Sequence, residues 1–225
     1  MISIVMPVLN EAAILGATLK ALQPFRGRGH ELILVDGGSR DGTPELARPL
    51  VDRLLSAPRG RARQMNAGAH AARGAVLWFL HADVRPPDDA DRRILEALAH
   101  GDGWGRFDVR LSGVSRWLRL VGWSMNQRSR LTGIATGDQG IFVSRALFQA
   151  VGGYPNLPLM EDIELSRRLR SRQRPHCLRT RILASGRRWE QGGVWRTVLR
   201  MWLLRAAHAL GLSTERLARY YRDVR

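Results

Sequence analysis

Short apolar runs alternate with segments of helical periodicity along the first hundred residues. Ile2–Pro7 and Glu31–Val35 are rich in branched aliphatic residues, and Ala75–Leu80 is the continuous apolar run expected of a buried central strand. Between the first two runs, Glu11–Leu22 repeats its apolar residues at helical spacing after Asn10, a candidate N-cap. This alternation predicts an α/β fold, with a mostly parallel, Rossmann-like sheet flanked by helices.

The second half of the chain has a more mixed pattern. Arg106–Leu111 and Ile141–Val143 are expected to be strands, and Ser144 is expected to cap a short helix. Further helices are predicted from Thr43-Pro44, over Gly60–Ala72, Asp88–His100, Glu161–Arg172 and Gly192–Gly211, and from Ser213. We expect one domain over residues 1–225, in which 1–105 form the first part, 106–190 a mixed part and 191–225 amphipathic C-terminal helices.

Polar residues gather where three predicted strands end. The first strand leads into Asn10-Glu11, the second into the turn 36–42, and the buried strand into His81-Ala82-Asp83. Each has a local explanation as a cap or a turn. Ligands bind beyond the carboxyl ends of the strands in an open parallel sheet, so the three ends together favour a binding site.

The familiar phosphate and metal motifs are missing from the sequence. There is no P-loop, since the single lysine precedes Ala21, and no G-x-G-x-x-G follows a strand. No Cys/His group has the spacing of a zinc site. Phosphates would therefore be bound by arginines and a metal ion, and a carboxylate such as Asp83 suits Mg²⁺ or Mn²⁺ that is also coordinated by phosphate and water.

A series of motifs, taken in order, resembles the inverting family 2 glycosyltransferases over most of the chain. The matching segments are Ile4–Glu11 (IVMPVLNE), Val35–Thr43 (VDGGSRDGT), Gly60–Gly68 (GRARQMNAG), Phe79–Asp83 (FLHAD), Gly137–Gly140 (GDQG) and Met160–Asp162 (MED). The resemblance implies a GT-A type fold, a nucleotide-sugar donor that is a UDP-sugar in many members, a divalent metal and a hydroxyl acceptor.

Transferred to this chain, the resemblance implies that residues 1–105 bind the donor and 106–190 the acceptor. Asp83 would carry the metal and Asp162 would be the catalytic base. The other expected donor-side residues are Pro7, Asn10, Glu11, Asp36, Gly38, Ser39, Arg61, Gln64, His81, Ala82, Arg187 and Arg188. The expected acceptor-side residues are Gly137, Asp138, Gln139, Glu161 and Trp189.

His81 departs from the family pattern, which usually has an aspartate at this position. The imidazole could hydrogen-bond the nucleotide, or His81 could be a core residue. For Glu161-Asp162, the structural alternative is an acid pair at a helix N-terminus, where the helix dipole favours negative charge. Chemically, one carboxylate would take the acceptor proton in a single inverting displacement. Arg187-Arg188 would bind the leaving diphosphate from a loop able to close between Gly186 and Gly192-Gly193.

The formal net charge of +16 leaves several partners open. It fits a solvated basic face, a nucleotide substrate, an acidic membrane or nucleic acid. The stripe Trp195, Val198, Leu199, Trp202 and Leu203 fits core packing beside snorkelling arginines, a membrane surface near a lipid-linked acceptor, or a homodimer interface. The lone Cys177 and a strand-like N-terminus favour a cytoplasmic protein, with possible contact to the inner face of the cell membrane.

Two rival functions remain. A nucleotidyltransferase of similar fold would carry a glycine-rich loop where this chain has Asn10-Glu11. A non-catalytic protein that binds nucleic acid or another anionic surface would explain the charge. Carboxylates such as Asp36, Asp83 and Asp162 would be unfavourable beside a polyanion, so we expect no nucleic-acid partner.

Overall fold

The computed structural model describes residues 1–222. Within this range one sheet contains β1 Ile2–Val8, β2 Glu31–Asp36, β3 Arg53–Ser56, β4 Val76–Phe79, β5 Val84–Arg85, β6 Trp104–Leu111, β7 Phe142–Ser144 and β8 His176–Ala184. The helices are α1 Ala12–Gly27, α2 Thr43–Ala47, α3 Arg61–Ala71, α4 Ala90–Ala97, α5 Trp117–Thr132, α6 Arg145–Ala150, α7 Glu161–Arg172, α8 Arg187–Gln191, α9 Val194–Ala209 and α10 Thr214–Arg222. Residues 223–225 of the predicted C-terminal part lie outside the described residues.

The strands follow the order β3-β2-β1-β4-β7-β6-β8-β5. The first four are parallel, and Val5 of β1 pairs with Ile33 of β2 on one side and Phe79 of β4 on the other. β7 is antiparallel to both β4 and β6, whereas β6 and β8 are parallel. The predicted α/β fold is confirmed, with a parallel first half and a mixed second half in one continuous sheet.

Two apolar cores cover the two faces of the sheet. Adjacent strand residues point to opposite faces, so Trp78 of β4 packs into one core and Phe79 into the other. The first core receives α1, α4 and α5, and the second receives α3, α6 and α7. Because helices cover both faces of β1 and β4, their sequences are continuous apolar runs rather than alternating ones.

Buried polar contacts fix α5 against β6. The Asn126 amide accepts a hydrogen bond from Val109 N at 2.8 Å and donates one to Val109 O at 3.0 Å. Arg106 is fully buried, but its guanidinium donates to Ser129 Oγ and Asn126 O, both at 3.1 Å, and pairs with Asp108. These partners make the buried charge tolerable.

The C-terminal helices pack against the start of α7. Leu204 of α9 and Leu217 of α10 form a small core with Met160 and Ile163. The residues that precede and follow Glu161-Asp162 are therefore held by the C-terminal part of the chain. Across residues 1–222, no helix combines the length and apolar character needed to cross a bilayer.

The predicted N-cap of α1 is wrong. Asn10 has a positive φ of 54°, and Glu11 is the N-cap. The first amides of α1 are capped from the turn after β2 instead: Glu11 N donates to Thr43 Oγ1 at 2.9 Å, and Ala12 N donates to Asp41 Oδ2 at 3.0 Å. Ser144 does cap α6, as predicted, by accepting from Leu147 N.

Candidate functional site

The carboxylate of Asp36 organises the loop after β2. It accepts hydrogen bonds from Gly38 N at 2.9 Å, from Ser39 N at 3.0 Å and from Ser39 Oγ at 2.5 Å. Asn10 joins the same loop, since its N–H donates to Ser39 Oγ at 2.8 Å and its Oδ1 accepts from Arg40 N at 2.9 Å. The ends of β1 and β2 therefore form one fixed edge, and a carboxylate with about four acceptor positions retains capacity for one more donor.

The first turn of α3 links this edge to the start of α7. Gln64 is buried, and its Nε2 donates to Val8 O and Val35 O, both at 2.8 Å. Its amide group thus holds the ends of β1 and β2 together. One turn earlier, Arg61 Nη1 lies 4.0 Å from Glu161 Oε1 at the start of α7.

A second group of site residues, here called the Asp162 cluster, consists of His81, Gly137, Asp138, Glu161 and Asp162. Gly137 N donates to Asp162 Oδ2 at 3.0 Å, and Asp162 Oδ1 accepts from Ile163 N at 2.8 Å. His81 Nδ1 lies 3.5 Å from Asp138 Oδ1. The cluster therefore joins the end of β4 to the start of α7.

Close packing in the Asp162 cluster requires glycine at position 137. A Cβ atom there would lie 2.3 Å from Cε1 of His81. The imidazole is half-buried at this polar edge and is not part of the apolar cores. The contact with Gly137 and the pairing with Asp138 together fix the orientation of the ring.

The carboxylates of the Asp162 cluster have different environments. Burial would raise the pKa of Asp138, but the hydrogen bond and charge of His81, with Arg188 and Arg61, lower it to about 2. Burial and the charge of Asp162 raise the pKa of Glu161, and Arg61 only partly opposes this. The interaction with His81 thus favours the ionised form of Asp138, whereas burial and the charge of Asp162 disfavour the ionised form of Glu161.

Asp162 is the second residue of α7, and the helix is preceded by a residue with an unusual backbone conformation. Met160 has a left-handed φ of 66°, which is uncommon for a residue other than glycine. Its side chain is buried in the small C-terminal core. Because packing holds this conformation, the first turn of α7 presents Asp162 half-buried beside Gly137.

Asp83 lies between β4 and β5, directly before Val84, and its half-buried carboxylate makes no hydrogen bond or ion pair to other described residues. The preceding Ala82 is buried, and its carbonyl accepts from Thr18 Oγ1 at 2.5 Å. Within residues 1–222, no group of three or more His, Cys, Asp and Glu could hold a metal ion. A lone carboxylate fits Mg²⁺ or Mn²⁺ only if substrate phosphates supply further oxygen ligands.

The predicted closing loop around Arg187-Arg188 is instead the short helix α8. Glu190 ties it to the start of α5, accepting from Val114 N at 2.7 Å and from Ser115 N at 3.1 Å. Arg188 is near enough for its charge to lower the pKa of Asp138. Trp189 is half-buried and packs against the first core.

Most of the predicted site residues therefore fall into two groups at the carboxyl edge of the sheet, and Ala82, Asp83, Arg187 and Trp189 belong to neither. The first is the Asp36 loop with the end of β1, and comprises Pro7, Asn10, Glu11, Asp36, Gly38 and Ser39. The second is the Asp162 cluster, with Gln139 buried within the adjoining segment and Arg61 and Arg188 supplying positive charge. Arg187 is exposed, and no described side-chain contact joins it to either group.

Sequence reasoning missed two arginines close to the Asp162 cluster. The charge of Asp162 acts on Arg128 of α5 and on Arg205 of α9. Nothing in the sequence distinguished them, because arginine supplies nearly all of the 36 basic residues. Only the packing of α5, α7 and α9 singles them out.

An exposed apolar surface covers α5 and α9, and we call it the aromatic face. It consists of Trp117, Leu120 and Trp123 of α5 with Trp195, Leu199, Trp202 and Leu203 of α9. The rings of Trp117 and Trp195 are 5.1 Å apart, and Trp202 is 71% exposed. Core packing is therefore the wrong explanation for this stripe, apart from Val198, which packs against the first core.

Parallel β1–β4, the mixed second half and the polar residues at the strand ends define the GT-A type of fold. The profile of glycosyl transferase family 2 matches residues 3–149, more than half of the chain, and the chain belongs to this family. The undecaprenyl-phosphate 4-deoxy-4-formamido-L-arabinose transferase of Pseudomonas paraeruginosa is 34% identical over 155 residues, which cover 62% of this chain and 45% of that protein. The chain thus spans about half the length of the curated relatives it matches.

Solved structures show the same fold. S. aureus TarS in complex with UDP-GlcNAc has a TM-score of 0.66 and 16% identity, over 82% of this chain and 58% of that one. Glucosyl-3-phosphoglycerate synthase from Mycobacterium tuberculosis, in complex with Mg²⁺ and UDP, has a TM-score of 0.60 and 20% identity, over 82% and 70%. The family and the fold are thereby shown.

Proposed function

We propose that the protein transfers a sugar from a nucleoside diphosphate, with UDP as the expected nucleotide, to an acceptor hydroxyl with inversion. The observation that carries the proposal is the Asp162 cluster at the carboxyl edge of the sheet. There, the half-buried carboxylate of Asp162 is held by Gly137 N, and the positive charges of Arg61 and Arg188 act on the neighbouring Asp138. Glycosyl transfer needs such a combination of a base and a charge that stabilises the leaving diphosphate.

Asp162 is the favoured base among three carboxylates. The pKa of Asp138, lowered to about 2, makes that group a weak proton acceptor, and its oxygen already faces His81. Glu161 is buried and lies near Arg61. Asp162 is half-buried, and two backbone N–H groups fix its orientation while leaving room for a further donor, the acceptor hydroxyl.

In the proposed reaction the acceptor oxygen attacks the anomeric carbon as its proton moves to Asp162. The new bond joins that carbon to the acceptor oxygen, and the bond to the diphosphate oxygen breaks. A single displacement without an enzyme nucleophile inverts the anomeric centre. Arg61 and Arg188 offset the charge that develops on the leaving diphosphate.

The donor would lie along the edge formed by the Asp36 loop. Asp36 has acceptor capacity for a nucleoside N–H or O–H. Pro7 lies next to the last residue of the neighbouring strand β1, and Glu11 is the N-cap of the following helix. Asp83 would hold a divalent cation together with the donor diphosphate. Such an ion supplies further positive charge for the departing phosphate. Mg²⁺ and UDP are bound in the M. tuberculosis enzyme of similar fold, which supports this assignment.

The aromatic face suggests peripheral contact with a membrane and a lipid-linked acceptor. Exposed tryptophans and leucines stand beside the exposed Arg116, Arg119 and Arg196, the combination that favours an anionic lipid surface. The name of the P. paraeruginosa relative includes undecaprenyl phosphate, a lipid, which is consistent with this proposal. A homodimer through the same face is the alternative, and sedimentation with and without lipid distinguishes the two.

The donor site can be tested before any acceptor is known. Calorimetry with UDP should give a higher affinity with Mn²⁺ than with chelator for the unaltered protein. Asp83→Ala should abolish this gain, whereas Asp102→Ala should retain it, because Asp102 is an exposed carboxylate just before β6, at the sheet edge opposite the carboxyl ends of β1, β2 and β4. Equal UDP affinity with and without metal would overturn the metal assignment, and an absence of UDP binding would overturn the donor assignment.

A further inference from the structure

A basic cavity of about 190 Å³ lies between α5, α7 and α9. Its polar lining comprises Arg128, Thr132, Arg167, Arg205 and His208, with two isoleucines and no carboxylate. The volume is several times the roughly 30 Å³ that a water molecule occupies in the liquid. Pockets that bind a whole ligand usually have volumes from about 300 Å³ upward, so this cavity is smaller than they are. The cavity thus suits one chemical group of a larger molecule.

Three nitrogen atoms of this cavity lack partners, whereas Arg167 at its edge pairs with Glu164 at 3.7 Å. Nη2 of Arg128, Nε of Arg205 and Nε2 of His208 are buried without a hydrogen bond. Neither arginine side chain forms an ion pair with any other described residue. Burial lowers the pKa of both, that of Arg128 to about 10 with a further contribution from the charge of Arg205. Buried polar groups are normally hydrogen-bonded, so unpaired donors of like charge indicate a site for an anion.

The cavity is next to the proposed base. Ile163, which follows Asp162, lines it, and the charge of Asp162 acts on both arginines. The charge of Asp138 also acts on Arg205. An anionic group bound in the cavity would thus hold the rest of its molecule beside Asp162, on the acceptor side of the sheet.

We propose that this cavity binds a phosphate monoester on the acceptor and so positions the acceptor hydroxyl at Asp162. The inference rests on the glycosyl transfer proposed above and names the chemical class of its acceptor. Guanidinium groups match the geometry of phosphate oxygens and bind them through two donors each. The imidazole of His208 adds a third donor when its Nε2 carries the proton.

A phosphate monoester can come from a lipid head group or from a soluble metabolite. Arg205 follows Trp202 of the aromatic face by three residues, so the two lie one helical turn apart on α9. The cavity and the aromatic face share both α5 and α9. A lipid phosphate at a membrane surface could therefore reach the cavity, and a soluble ester could enter it equally.

The test uses glycerol 3-phosphate as the probe and calorimetry as the readout. The unaltered protein should bind it, and Arg205→Gln and Arg128→Gln should each weaken binding about 10-fold or more, the usual effect of losing a hydrogen bond to a charged group. Arg92→Gln, which removes an exposed arginine of α4, should leave the affinity unchanged. Equal affinity in all four proteins, or no binding by the unaltered one, would overturn the proposal.

Thermal unfolding separates this role from a structural one. Arg205→Gln should melt at the same or a higher temperature without ligand, because it removes one of two unpaired like charges, and should lose the stabilisation by glycerol 3-phosphate. A marked fall in melting temperature without ligand would mean that Arg205 supports the fold, and would count against an anion site.

Two further measurements complete the test. UDP affinity should be unchanged in Arg205→Gln. If the unaltered protein binds glycerol 3-phosphate but not UDP, the phosphate site is supported. The proposed sugar transfer, and with it the acceptor role of the phosphate, would then be wrong. Phosphatidylcholine vesicles with and without lysophosphatidic acid, which carries both a phosphate monoester and a free hydroxyl, identify the source of the phosphate. Arg205-dependent retention on lysophosphatidic acid indicates a lipid acceptor, and its absence a soluble ester.

Discussion

Replacing Asp162 by asparagine tests the proposed base with a small change in shape. Both carboxylate oxygens accept backbone hydrogen bonds, from Gly137 N at 3.0 Å and from Ile163 N at 2.8 Å. An asparagine has one carbonyl oxygen, so only one of these N–H groups keeps an acceptor. The other would face the side-chain NH₂ group, a second donor.

The structural cost of Asp162→Asn follows from this lost acceptor. An N–H group left unsatisfied costs about 1–3 kcal/mol, or a melting temperature lower by about 2–12 °C for a domain of this size. Removing the charge of Asp162 relieves its repulsion of buried Glu161 but also removes its attraction to Arg128 and Arg205, so the two changes oppose each other. We therefore expect a folded variant whose melting temperature is lowered within this range.

The catalytic cost should be much larger than the structural one. A positioned base contributes about 10²–10⁴-fold, so kcat should fall by that factor. Hydrolysis of the donor can be used as the assay, since water then takes the place of the acceptor hydroxyl. The UDP dissociation constant should stay within about twofold, because Asp36 and Arg61 remain in place.

The matched control is Glu164→Gln, which removes a carboxylate from the same helix. Glu164 forms ion pairs of 3.7 Å with Arg167 and 3.5 Å with Arg168 at the surface, so turnover should stay near that of the unaltered protein. Near-normal turnover of folded, UDP-binding Asp162→Asn would refute the assignment. Asp138→Asn would then be the next variant to measure.

Three other predictions concern packing, charge and the aromatic face. Gly137→Ala places a Cβ 2.3 Å from an imidazole carbon and should lower the melting temperature by about 2–12 °C, whereas Gly27→Ala, with no atom within 4 Å, should not. Glu161→Gln should raise the melting temperature at pH 8. The folded-state pKa of Glu161 is raised, so ionisation of this carboxyl destabilises the fold above that pKa. The difference in melting temperature should therefore shrink as the pH falls through it. Trp202→Ala should weaken binding to anionic vesicles several-fold in a flotation assay, unlike Leu95→Ala on α4; equal binding would exclude a membrane role for the aromatic face.

The order of elements in the first half was predictable from the sequence. β1, β2 and β4 are buried on both faces, so each appears as an apolar run, and the helices between them keep helical spacing. The polar residues that follow these strands could be assigned to one edge, because parallel strands end on the same side of a sheet. Whether each of them binds a donor is still a prediction.

The sequence did not predict β3, α5 and β8, because contacts with residues distant in the chain determine which of their side chains are buried. α5 carries tryptophans outward and holds β6 through Asn126, so its apolar pattern does not mark a buried face. β8 lies near one end of the sheet with Arg179 and Arg181 exposed, which weakens the strand signal. Such pairing depends on tertiary contacts rather than on local propensity.

The sequence by itself determined the family, the α/β fold and the nature of the residues at the strand ends. Only the tertiary structure decided which charges meet. It paired His81 with Asp138, set Arg61 beside Glu161, and brought Arg128 and Arg205 to one cavity next to Asp162. The physical reason is that electrostatic interactions depend on distance and burial, and neither can be read from the position of an arginine in a chain that contains so many.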